Sequence, residues 1–416
     1  MDADEPNRAR YADVFGTSEF PAIFTAFVVS IIGSVVASVA LTVLVYQRTG
    51  SSALAGAVFS IEFVPYLLGG VVASSIVDRY SARRVLVTCD LLCAGLIGAM
   101  LIPGLPLAGI LVLLGGVGLV APVFSGVRSA TLAQILPSGP IYVLGGSLMG
   151  TVAQAGQIVG NATGGLLLVA VSPRGALAID AASFLGSALL LRLGMASRPS
   201  SGAPAGRSGV TGTLGGVREV LAYGPLRPLL LIGWVVPFCV VAPEALAAPF
   251  VVSLGLSSSH VGYLLAAMPV GLTVSSIVAA RLLTSTGQRR IVRPAFLLSV
   301  VPAILFVLGP SFPAAFVLLV VVGFGGAYAV AINQRLLERT PETMRGRTFA
   351  VWSAGVMFTQ GVGFTFWGVV GEFASPHVVV AVAGVVALVI ALAPLPRPAL
   401  RALELRGDTA LTRPSW

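Results

Sequence analysis

Apolar runs long enough to span a bilayer, each closed by a short polar stretch, recur from one end of the chain to the other. Twelve can be marked. Six lie at residues 21–46, 53–77, 85–102, 106–128, 141–171 and 175–195, and six at 228–251, 259–283, 292–309, 312–335, 348–370 and 376–394. Runs of about 20 apolar residues with few charges are the signature of helices that cross hydrocarbon. The fifth run is longer than a span requires and leaves room for an interfacial stretch. Between the sixth and seventh runs lies SRPSSGAPAGRSGVTGTLGG (197–216), a Pro/Gly/Ser-rich segment with no apolar period, which reads as a flexible connector. The pattern predicts an all-α membrane protein with twelve transmembrane helices in two six-helix halves. The N-terminal half spans 1–195, a cytoplasmic linker 196–227, the C-terminal half 228–394 and a cytoplasmic tail 395–416.

Composition strengthens this reading. Only 10% of residues are charged and the mean hydropathy is +0.97, whereas a soluble domain carries about 25% charged residues. The net charge of +9 raises the question of nucleic acid, and the distribution of the charge answers it. Every basic residue is Arg, and the arginines stand in short clusters between the apolar runs rather than along one helix face. With the N-terminus inside, all but Arg48 and Arg174 fall on the cytoplasmic side, as the positive-inside rule requires. The polar start MDADEPNRARYADVF does not fit a cleavable signal peptide. Cys89, Cys93 and Cys239 read as small apolar fillers, because two His and scattered acids are too few to build a metal site around them.

Two segments echo each other. GVVASSIV (70–77) ends the second run, and GLTVSSIV (271–278) lies in the eighth, the equivalent place in the second half. Equivalent runs share an orientation, so the repeat suggests two parallel halves related by an axis along the membrane normal.

An acid inside hydrocarbon costs about 2.5–3.5 kcal/mol on insertion scales, so each one needs a reason. Glu62 lies well inside the second run, beside Ala55, Phe59, Tyr66, Gly69 and Ala73, a stripe of small and aromatic residues that should face the bundle. A proton or substrate role and an interhelical hydrogen bond both fit it. Glu244 follows Pro243, which breaks the backbone ladder of the seventh run locally. A functional role and an acid reaching the outer interface both suit it. Asp180 sits near the N-terminus of the sixth helix, where the helix dipole favours an anion, so a structural role competes with proton binding. The fifth run carries Gly146, Gly150, Gln154, Gln157, Asn161 and Gly165 on one stripe; its amides either line a cavity or bridge helices, and Gln360 in the eleventh run is a comparable wall candidate. His260 and His377 fall near outer helix ends.

The stretch VDRYSARRV (77–85) packs one acid and three arginines between two apolar runs. The arginines serve topology; Asp78 does not, since an anion at a helix C-terminus is disfavoured without a partner. A local pair with Arg83 or Arg84 is one solution, and a contact with the start of another span is the other. Asp78, Arg79, Arg83 and Arg84 resemble the G-x-x-x-D-R-x-G-x-R-R loop of the major facilitator superfamily, with Ser74 and Ser81 in place of the two glycines. PETMRGRTFAVW (341–352), Asp90-Leu91-Leu92 and Ile179-Asp180-Ala181-Ala182-Ser183-Phe184 are similar to segments of its exporter branch, which includes enterobactin exporters. Gly160-Asn161-Ala162-Thr163-Gly164-Gly165 resembles the end of that superfamily's antiporter motif, with Asn161 where the motif has Pro.

The resemblance implies the major facilitator fold and a cytoplasmic charge relay that latches one state of an alternating-access cycle. Asp78 would face the start of the eleventh helix, and Arg79, Arg83, Arg84, Asp90, Arg345 and Arg347 would complete the relay. The expected function is secondary active transport, namely proton-coupled export of an amphipathic small molecule. Uptake by the same fold and a non-transporting sensor or assembly role are the alternatives. Expected partners are the solute, protons and the lipid bilayer, with no nucleic acid, cofactor or metal, and a monomer in the cell membrane. ATP drive within the chain is excluded, since a Walker loop needs a Lys and the sequence has none. No HExxH or GxSxG arrangement is present, so an enzyme is not expected.

Overall fold

The computed structural model describes residues 10–63, 80–137, 139–196, 217–282 and 292–392. Apolar composition drives these residues into helices, because only a helix satisfies its own backbone groups in lipid; no strand occurs among the described residues. A short helix, α1 (Tyr11–Phe15), precedes α2 (Phe20–Thr49), whose 30 residues reach about 45 Å at 1.5 Å per residue. Pro21 starts α2 where its missing N–H costs nothing, and Gly50 ends it in the left-handed conformation at φ +65. Then come α3 (Ser52–Phe63), α4 (Ala82–Ala99), α5 (Leu107–Ile135), α6 (Pro140–Ala170) and α7 (Pro173–Gly194). Residues 70–77, the first copy of the repeat, lie outside the described residues, as do Asp78, Arg79 and the connector 197–216.

The second half opens with a span in three pieces: α8 (Arg227–Val240), α9 (Ala242–Ala245) and α10 (Ala247–Ser253). Pro237, Pro243 and Pro249 recur through it, and each removes a backbone donor. Next are α11 (Ser259–Leu282), α12 (Val292–Ile304), α13 (Phe312–Gly325), α14 (Tyr328–Arg339), α15 (Arg345–Val370) and α16 (Pro376–Leu392). Most predicted runs match these helices within a few residues. The fifth run is one continuous helix, α6, of 31 residues. Two runs differ. The tenth divides into α13 and α14 at Gly326 and Ala327. The fourth run continues to Ile135, so Arg128 lies about two turns inside α5. There it is half-buried, with its guanidinium carbon 3.8 Å from the Phe27 ring centroid. Five described segments are long and apolar enough to cross a bilayer: Phe20–Thr49, Leu107–Ile135, Pro173–Gly194, Gly224–Ser253 and Ser259–Val278.

Packing falls into two groups. In the first, α2 packs on α6 and α7, and α4 on α5 and α7; in the second, α11 and α12 pack on α13, and α8 and α12 on α16. The extensive contacts between the groups are α3 with α15 and α6 with α11. Counted as predicted runs, these join the second to the eleventh and the fifth to the eighth. Moving each member by six runs turns one pair into the other, the relation expected of two parallel repeats.

Candidate functional site

The two seams between the groups are built from glycines. At α3–α15, a Cβ on Gly56 would lie 2.5 Å from the Phe364 carbonyl oxygen, and one on Gly368 would lie 2.8 Å from that of Ser52. At α6–α11, Gly165 meets the backbone of Ser259 and Gly262. Small residues let helix backbones touch, the usual basis of helix association in membranes.

Polar and aromatic contacts close the same end of the bundle. Asn161 donates its amide to the Leu265 carbonyl at 3.1 Å, and Gln47 donates to Ser258 Oγ at 2.9 Å. Thr365 Oγ1 donates to Ser60 Oγ at 2.6 Å, and Ser60 donates on to the Gly361 carbonyl at 2.6 Å. The buried Phe364 ring stacks on Phe59 at 4.8 Å and Phe63 at 5.7 Å between centroids, both from the opposite group. At the rim, Glu372 accepts hydrogen bonds from Ser51 Oγ (2.7 Å), Ser52 Oγ (3.3 Å) and the Ala53 N–H (2.8 Å). Ala53 is in the first turn of α3, where backbone N–H groups have no partner within the helix and the dipole favours an anion. The Ala53 N–H, followed by the serine hydroxyls, holds the Glu372 carboxyl below its ordinary range.

The opposite end differs. Gly146 and Gly150 of α6 look into open space, Gln157 is exposed and Gln154 half-buried. The predicted stripe of α6 thus runs from tight contact at Gly165 and Asn161 into an opening at Gly150. A second glycine row, Gly156, Gly160 and Gly164, packs on Ile31, Val35 and Val36 of α2. Its four-residue spacing was a legible signal that the sequence reading did not use. Gln360 is half-buried on α15.

Of the three acids singled out from sequence, Glu244 and Asp180 lie in different groups of helices. Glu62 belongs to α3, one residue before Phe63, and its side chain lies outside the described residues. Glu244 is half-buried in the four-residue α9, at the break of the seventh span. That break is braced by Trp367 Nε1, which donates to the Phe238 carbonyl at 2.8 Å. Asp180 is 2% exposed and packs within the first group. Ser183 Oγ donates to its Oδ1 at 3.3 Å, and Gly33 of α2 leaves room for both side chains. Asp180 thus stands away from both seams.

Most described members of the expected relay bind partners outside it. Arg83 Nη1 donates to the Met195 carbonyl at 3.1 Å, and Arg84 is exposed. Arg345 pairs with Glu342 at 3.1 Å and Arg347 with Glu219 at 2.7 Å. Asp90 is bonded to Ser187 of α7 rather than to a loop arginine. Glu219, Ser60, Phe364 and Glu372 were absent from the sequence reading; each matters through a partner more than 90 residues away, which no local pattern reveals. His260 and His377 stand in the first turns of α11 and α16. No cluster of metal-ligating side chains occurs among the described residues.

Comparison with known proteins agrees with this architecture. The Major Facilitator Superfamily profile matches residues 23–257 and 245–414. Curated relatives include the enterobactin exporter EntS of Salmonella choleraesuis (strain SC-B67), 24% identical over 389 residues and 90% of each chain. That of Shigella boydii serotype 4 (strain Sb227) is 25% identical over 370 residues and 86% of each. Among solved structures, a POT family transporter in complex with 5-aminolevulinic acid superposes with TM-score 0.74 at 11% identity, over 93% of this chain and 96% of that one. A bacterial homolog of the human lysosomal transporter Spinster, inward-facing and unoccupied, gives 0.71 at 15%, over 95% and 96%. The chain therefore belongs to the Major Facilitator Superfamily and is an integral membrane transport protein, not an enzyme.

Proposed function

We propose that this transporter exports an amphipathic small molecule by alternating access, driven by protons entering in exchange. The observation that carries the reading is the course of α6, closed against α11 at Gly165 and open at Gly146 and Gly150. The arginine distribution orients the open end toward the cytoplasm, with both termini on that side. In this inward-open arrangement a solute enters from the cytoplasm and meets Gln154, Gln157 and Gln360. Asn161 becomes available when its bond to the Leu265 carbonyl opens. Glu62 is the proposed proton carrier, since it is an acid well inside an apolar run and belongs to α3, the helix that must part from α15 when the outer end opens. The aromatic and small side chains there suit an apolar or amphipathic solute. One charge crossing 100 mV releases about 2.3 kcal/mol, enough for a gradient of tens-fold per proton. The relatives bearing the name enterobactin exporter favour export over uptake.

The test is retention of enterobactin and a panel of amphipathic compounds in an efflux-deficient bacterial host, with and without the protein and with and without a protonophore. Lower retention only while the proton gradient stands supports the proposal. Higher retention points to uptake. Glu62→Gln at equal expression should abolish gradient-driven export; full activity removes Glu62 from the mechanism.

A further inference from the structure

Asp90 lies about two turns into α4 and is 1% exposed. Ser187 of α7, itself fully buried, donates its hydroxyl to Asp90 Oδ2 at 2.5 Å. Oδ1 is buried too and has no hydrogen-bond partner. The helices packed extensively against α4 are α5 and α7. The one charged residue in α5 is Arg128, which lies over Phe27. On α7, Arg174 stands in the first turn, Asp180 is held by Ser183, and Arg192 is exposed in the last turn. On α4 itself, Arg83 reaches Met195, Arg84 is exposed, and the remaining titratable groups are the free thiols of Cys89 and Cys93. None of these cations reaches Oδ1.

An ionised carboxylate in this place would leave one charged oxygen buried with no donor, the costliest arrangement for a polar group in a dry interior. A neutral acid leaves only an unmade hydrogen bond. We propose that Asp90 is a proton-binding site of the N-terminal half, with its carboxyl protonated on Oδ1 in this conformation while Ser187 holds Oδ2. Proton loss then requires α4 and α7 to part enough to admit water, so occupancy of the site reports how these helices pack. The site is separate from Glu62 and does not depend on the direction of transport or on the solute.

Infrared spectroscopy of the full-length protein in nanodiscs tests this without any substrate. At neutral pH the wild type should show a protonated-carboxyl stretch that is lost in Asp90→Asn. Ser187→Ala should shift that stretch to higher frequency, because the carbonyl oxygen loses its donor. Identical bands in wild type and Asp90→Asn overturn the proposal. Should Asp90→Asn fail to fold, Ser187→Ala decides: a shifted band supports the site and an unmoved band overturns it.

Discussion

Glu372→Gln is the most direct probe of the outer closure. The carboxylate of Glu372 receives two serine hydroxyls and the Ala53 N–H from the opposite group of helices, so these bonds exist only while this end is shut. A bond to a charged acceptor contributes about 1.5–3 kcal/mol when shielded, and a neutral one about 0.5–1.5 kcal/mol. Gln keeps one acceptor oxygen and loses the charge, including its attraction to the first turn of α3. Because Glu372 is exposed, water competes for each bond, and the three together are discounted to about 1–2 kcal/mol. That shifts the closed-to-open ratio by about five- to thirtyfold. Spin labels at Thr49 and Leu254, exposed residues on opposite groups near the Gln47–Ser258 contact, report this by double electron–electron resonance. Glu372→Gln should move population to longer separations, and Glu372→Asp less so. An unchanged distribution refutes the latch. The sign with pH follows from the lowered pKa. The charged form and its contribution to closure are fully present above the ordinary Glu range, about 4.3, and are lost only as pH falls through the lower value of the closed state.

Gly56→Val places methyl groups against the Phe364 carbonyl and should cost about 1–3 kcal/mol by overpacking. The same spin labels should show the outer end opening, and a wild-type distribution refutes the close approach. Trp367→Phe keeps the ring bulk but strands the Phe238 carbonyl at the break of the seventh span. Thermal unfolding should record a loss of about 1–3 kcal/mol, and an unchanged Tm removes the brace. Glu219→Gln breaks only an exposed pair with Arg347 and should change stability by less than about 1 kcal/mol, so a large drop would mean that Glu219 does more than pair. A reporter fused after Arg84 or in the central linker should lie in the cytoplasm; an external location reverses the orientation and the sense of transport.

Helix positions were legible because hydropathy and turn chemistry are local. The run read as 259–283 is the helix Ser259–Leu282, and the run read as 141–171 is the helix Pro140–Ala170. Pro243 pointed correctly to a broken span. The α6 stripe was legible in part: Gly165 makes the close approach that Gly at helical spacing suggests, whereas Gly146 and Gly150 face open space. Its neighbour was not, because lipid is as apolar as a protein core and an apolar helix face looks the same toward either. For that reason the pairing of α3 with α15, the stack of Phe59 on Phe364 and the capping of α3 by Glu372 follow from tertiary packing alone. The same limit applies to Asp90. The resemblance grouped it with the loop charges, whereas helix rotation and the approach of α7 put its carboxyl on Ser187. Composition and periodicity set where the apolar runs lie and roughly where most of them end. Which faces meet depends on shape and on polar groups satisfied over long sequence distances, which packing alone resolves.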